Sequence, residues 1–174
     1  MPRAACLAIA CLIVLPAAPA PAQEAGPSAQ EMRAQIEDCL DRAEGRVEEQ
    51  ACIGGPSAEC MDRPGGYSTL GMVNCIGAET EAWDAILNAL WPRLRDQAAG
   101  YDASESPGDL GLPGRAESLL AAQRAWIAFR DAECLHAYAQ GGTGSIRTLY
   151  GASCRLEETA ERALDFRSWL GEPP

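Results

Sequence analysis

The chain has 174 residues, with 14 basic residues, all of them arginine, against 25 acidic ones, for a formal net charge of −11. That charge excludes nucleic acid and anionic membrane surfaces as partners and allows a basic one. Eight cysteines contain no CxxC pair and there is a single histidine, His136, so zinc spacing is absent; no glycine run leads into a Lys-bearing phosphate loop, and neither metal nor cofactor is expected.

Taken in chain order, Arg3 followed by "AACLAIACLIVLP" reads as an export signal, one positive charge and an apolar run too short to span a membrane. "APAPAQ" then offers small residues for cleavage after Ala22. Cys11 follows "AIA" too early in the apolar run to be a lipid-anchored cysteine. The mature chain is therefore expected in the periplasm or secreted, with no membrane insertion. Residues 1–22 take Arg3, Cys6 and Cys11 with them. Thirteen basic residues against 25 acidic ones remain, net −12, with six cysteines: Cys39, Cys52, Cys60, Cys75, Cys134 and Cys154. An even count in an exported chain reads as three disulfides.

Four stretches then carry helical periodicity. The first begins after Ser28, a candidate N-cap, with Met32, Ile36, Leu40, Ala43 and Val47 on one stripe. The second runs from about Ser68 to Gln97, and Pro92 inside it predicts a kink or an early end. The third spans about Ala116 to Ala139, and the fourth begins near Ser153 and reaches Leu170. The stretches "GGPSAECMDRPGGYS", "GYDASESPGDLGLPG" and "QGGTGSIRTLYGAS" read as loops. No stretch alternates with period two. The expectation is an all-α, small up-down bundle of about four helices stapled by three disulfides.

At about 100° per residue, Glu79 falls inside the apolar arc of the second helix, and Arg130 and Gln123 fall inside that of the third. Antiparallel packing with Cys75 opposite Cys134 brings Glu79 opposite Arg130 and Trp83 opposite Trp126. This register predicts a Cys75–Cys134 disulfide and a buried Glu79–Arg130 ion pair. The other four cysteines allow three pairings; a break at Gly45 permits Cys39–Cys52 and leaves Cys60–Cys154, the set expected here.

The stretches "MVNCIGAETEAWDAILNALW" and "LLAAQRAWIAFRDAEC", with "GGTGS" and the later Cys154, resemble the lysozyme inhibitor LprI-like family over about residues 60–170. Two departures stand out: Val73 separates Met72 from Asn74, and Trp91 stands where the family pattern has Tyr. The resemblance implies a small, exported, disulfide-bonded helical domain over 59–174, with residues 23–58 a helical extension packed against it as one unit. It makes Glu79, Asp84, Asn88, Gln123, Arg124, Trp126 and Arg130 signature positions, which read as structural together with Trp83.

An enzyme is the poorer fit to these residues. Glu79 has Arg130 to explain it, Glu81 points away from the core arc, and Ser145 lacks the strand–turn–helix setting of a nucleophile elbow. With all six cysteines paired, no thiol nucleophile remains. The expected function is protein binding, with lysozyme or another basic exported protein as partner. The expected contact is "GGTGSIRTLY", with Gly141, Gly142, Thr143, Gly144, Ser145, Arg147 and Tyr150 entering a cleft lined by carboxylates. A structural or envelope-stress protein without lysozyme affinity is the alternative, and a hydrolase the third reading.

Overall fold

The computed structural model describes residues 27–171; the expected export signal over 1–22 and the cleavage point at Ala22 lie outside them. Among the described residues the chain forms six α-helices and one short 3-10 turn, with no strand. They are α1 (Ala29–Leu40), α2 (Arg46–Ala51), α3 (Gly55–Met61), α4 (Thr69–Glu105), α5 (Arg115–Gln140) and α6 (Ile146–Trp169), with the 3-10 turn at Pro107–Leu110. The fold is thus a helical bundle stapled by three disulfides.

Local chemistry sets most of the boundaries. Ser28 caps α1 through a reciprocal box: its hydroxyl accepts the Glu31 N–H at 3.2 Å, and the Glu31 carboxylate accepts the Ser28 N–H at 2.7 Å. The first expected helix is broken between Leu40 and Arg46, so Met32, Ile36 and Leu40 are buried while Val47 is 80% exposed. The segment expected to be a loop before the second helix contains α3, started by Pro56 in its first turn. The long helix α4 continues through Pro92 instead of stopping there. An interior proline costs about 3 kcal/mol, and burial of Leu90 and Leu94 on either side offsets it at about 1.5–3 kcal/mol each. At its far end Asp102 accepts the N–H groups of Arg115 and Ala116 at 2.7 and 2.9 Å, capping α5 in place of Gly114, which has no side chain to do so.

The packing order differs from the expected one. The principal partner of α4 is α6; α5 lies along α6 and touches α4 much less, while α1 and α3 cover another side of α4. The antiparallel register assumed for α4 and α5 therefore fails, and three expectations built on it are corrected. Cys75 does not pair with Cys134, nor Cys60 with Cys154. The bridges are Cys39–Cys52, Cys60–Cys75 and Cys134–Cys154, with Cα separations of 5.9, 5.7 and 5.3 Å. Each joins elements that are near neighbours in sequence, because the short helix α3 carries Cys60 onto α4, and α5 and α6 form a hairpin. Trp83 is fully buried, whereas Trp126 lies against guanidinium groups of Arg130 and Arg162 rather than against Trp83.

The third correction concerns the hidden charges. Glu79 is fully buried, but its partners are the N–H groups of Gly54 and Ser57, at 2.7 and 2.8 Å, and the Trp83 indole N–H at 3.2 Å. Arg130 turns instead to its neighbour Asp131. The arginine in the interior is Arg162 of α6, 8% exposed, with Nε donating to Gln123 Oε1 at 2.9 Å and the rings of Trp126, Phe166 and Trp169 within 4.8–5.5 Å. Burial lowers its pKa, with Asp165 opposing.

The N-terminal helices join the same core. Met32 and Ile36 are fully buried in it, and α2 is tied to α6 by Arg46 with Glu161 (2.5 Å) and Asp165 (3.0 Å) and by Glu49 with Arg167 (3.2 Å). Replacing Glu79 by Ala strands two backbone N–H groups and an indole N–H, each costing about 1–3 kcal/mol when buried unpaired. Urea unfolding is expected to show a loss of about 3–5 kcal/mol for Glu79→Ala and about 1 kcal/mol for Arg130→Ala. Equal losses contradict this assignment.

Candidate functional site

Because α5 leans on α6 and only lightly on α4, a groove of about 780 Å³ opens between α4 and α5 with α6 as its floor. Its apolar stretch comes from Val73 and Gly77 of α4, Leu135 and Tyr138 of α5, and Gly151 and Ala152 of α6, while Glu81, Asp131 and Arg155 add charge to its lining. The α5–α6 side is tightly built, since a Cβ at Gly151 would lie 3.2 Å from Tyr138 Cβ and Cys134–Cys154 bridges the two helices. Gly77 is different. A Cβ there would have nothing within 4 Å.

One end of the groove passes into a polar slot of about 260 Å³ lined by Thr80, Glu81, Asp84, Arg130, Arg155 and Thr159. On the α5–α6 wall, Asp131 Oδ1 accepts hydrogen bonds from Arg130 Nε (3.2 Å), Arg130 Nη2 (3.1 Å) and Arg155 Nη1 (3.3 Å). The Arg130 hydrogen bonds, helped by the charges of Arg130 and Arg155 against partial desolvation, hold the Asp131 carboxyl below the usual carboxylate range. On the α4 wall, Asp84 accepts from Asn88 Nδ2 at 2.7 Å. Among the described residues no ion pair joins either carboxylate of that wall to Arg130 or Arg155. Thr159, 1% exposed, lines the slot with a buried hydroxyl that has no hydrogen-bond partner.

The segment expected to contact a partner is more compact than a loop. Residues 141–145 form the whole connection, and Arg147 and Tyr150 already belong to α6. Gly141 packs against the start of α6, where a Cβ would fall 2.4 Å from Arg147 Cα. Gly142 has φ +59°, a conformation that costs residues with a Cβ. Thr148 donates to the Ser145 carbonyl at 2.7 Å, and the Arg147 guanidinium lies 5.0 Å from the Tyr138 ring. Thr143, Gly144 and Ser145 are exposed, as is Tyr150. Tyr138 and Thr148, on either side of this turn, both line the groove, so the turn stands at the end opposite the slot in the chain direction of α5.

The other expected residues fall apart in space. Gln123 serves Arg162, Asp84 and Asn88 pair along α4, and Arg124 is exposed. His136 shares a hydrogen bond with Gln140 on the exposed face of α5, and no cluster of three or more metal-ligating side chains occurs among the described residues. Three residues the sequence reading passed over carry polar chemistry here: Thr159 and Arg162 in the interior, and the exposed Arg155 at the slot. Arg162 had a signal, since Phe166 and Trp169 follow it at i+4 and i+7 on one helix face. Thr159 had none, because an unsatisfied hydroxyl is visible only once its neighbours are placed.

Comparison with known proteins finds a family for most of the chain. A family model described as lysozyme inhibitor LprI matches residues 60–166. An uncharacterized protein of Rhizobium meliloti (strain 1021) is 29% identical over 96 residues, covering 55% of this chain and 69% of that protein. An uncharacterized 17.7 kDa protein of Rhodobacter capsulatus, described by its position in the puhA 5' region, is 25% identical over 138 residues, covering 75% and 81%. No solved structure matches the chain significantly.

The Asp131 shift has a definite sign. A carboxyl whose folded pKa is depressed contributes stability above its unfolded pKa, near 3.9 for aspartate, and loses it as pH falls through the folded pKa. Carbon-detected titration is therefore expected to place Asp131 below ordinary aspartates, and Asp131→Asn to flatten the loss of stability on the acid side. A midpoint at or above the ordinary value contradicts the arrangement.

Proposed function

This chain belongs to the lysozyme inhibitor LprI family, and we propose that it is an exported protein-binding module that blocks lysozyme with the turn at residues 141–145. Three disulfides and the family fit an exported protein. In this reading residues 1–22 are the signal, cut near Ala22, and the mature protein works in the periplasm or outside the cell. The extension over 23–58 and the family domain over 59–174 act as one body.

The observation that carries the reading is the way the turn is held. Cys134–Cys154 clamps the helices on both sides of it, and Gly141 is seated against the Arg147 backbone. A turn already held in one conformation loses little entropy on docking. Thr143, Gly144 and Ser145 offer backbone without bulk, so a cleft wall can approach closely. Arg147 and Tyr150 flank them, the guanidinium facing acidic groups of the cleft and the ring adding apolar contact. Nothing in this mechanism requires chemistry by the inhibitor. The acidic surface, net −11 over the whole chain, steers a basic enzyme toward it, so association slows as salt rises.

A lysis assay against several lysozyme classes at low and high salt tests the reading. Inhibition of a basic class, weakening with salt, is expected. Gly144 has room for a side chain, the nearest atom to its Cβ being Gly141 O at 3.5 Å. Gly144→Trp should therefore fold with unchanged Tm yet inhibit at least about tenfold less, and Arg147→Ala should weaken inhibition by about tenfold or more, in line with about 1.5–3 kcal/mol for a charged hydrogen bond. Intact protein that inhibits no class contradicts the proposal and leaves a structural role in the envelope.

A further inference from the structure

We propose that the slot and the adjoining groove together bind a small zwitterion, an α-amino acid with an apolar side chain. The two walls of the slot carry opposite charge across open space. Glu81 and Asp84 stand on α4, Arg130 and Arg155 on the other side, and no ion pair crosses between them. Asp131 takes three hydrogen bonds on one oxygen from these two arginines, which leaves that wall one positive charge in excess. An ammonium group meets the α4 carboxylates while a carboxylate meets the guanidinium groups, each supplying the charge its wall lacks.

Two independent observations point to an occupant. Thr159 is 1% exposed at the slot, and its hydroxyl has no partner within the protein, a buried polar group of the kind a ligand satisfies. Gly77 sits inside α4, two turns from its start, where glycine is unfavourable, and no close packing demands it. Its missing side chain keeps the apolar groove open beside the slot. The groove, about 780 Å³ and walled by Val73, Leu135 and Tyr138, lies in the size range of small-molecule sites and accommodates a leucine or phenylalanine side chain.

Calorimetry and NMR titration of the full mature protein with L-phenylalanine and L-leucine test this. Saturable binding is expected, with shifts at Arg155, Thr159 and Leu135. Phenethylamine, which lacks the carboxylate, and 3-phenylpropionate, which lacks the ammonium, should bind at least tenfold more weakly. Glu81→Gln and Arg155→Gln alter exposed residues and should keep the Tm while lowering affinity at least tenfold. Gly77→Leu should abolish binding without lowering the Tm, because its side chain enters open groove. Absence of binding at millimolar amino acid overturns the proposal, and so do equal affinities for the two singly charged analogues or unchanged affinity in the three variants.

Discussion

Glu79 lies near the middle of the first half of α4 with no access to water, and its two oxygens accept the N–H groups of Gly54 and Ser57 and the indole N–H of Trp83. An ionised carboxylate removed from water without such donors costs far more than a small bundle can supply. The short helix α3 must therefore dock with its first turn on α4, and Gly54 reaches its donor position only at φ +88°, open to glycine. Cys60–Cys75 closes the far side of the same contact. Once α3 is seated, α1 is carried onto the buried face of α4, where Met32 and Ile36 complete the core.

A second buried charge orders the other half. Arg162 sits among three aromatic rings and donates to Gln123, so α5 is drawn onto α6 rather than onto α4. The groove between α4 and α5 follows from that choice. The bundle thus settles its most buried acid and its buried arginine separately: Glu79 with backbone and indole donors, Arg162 with rings, the Gln123 amide and, at 3.9 Å, the Asp165 carboxylate. Pairing the two hidden charges with each other is not needed, and the space left between the helices is available for ligand.

Much of this was legible in the chain. Periodicity located α1, α4 and α5, Ser28 caps where its hydroxyl suggests, and Cys39–Cys52 follows from a break before α2. The resemblance over about residues 60–170 is borne out by the family match over 60–166. The register was not legible, because wheel arithmetic shows which residues point inward but not which helix they meet. Glu79 and Arg130 are both inward on such a plot, yet backbone donors, which no side-chain pattern reveals, claimed the first. Pro92 suggested a helix end that burial on either side overrode, and the loop expected to run to Ser153 is cut short by the start of α6 at Ile146.

If the Glu79 contact holds the molecule together, two amides that ordinarily exchange quickly must be among the slowest. The N–H groups of Gly54 and Ser57 lie before and within the first turn of a seven-residue helix, where no intrahelical carbonyl serves them. Native-state hydrogen exchange under conditions where α4 core amides report global unfolding is the direct measurement. Protection of both amides at the free energy of the α4 core is the result this account predicts; exchange at the rate of a frayed helix end, with the α4 core still protected, would contradict it.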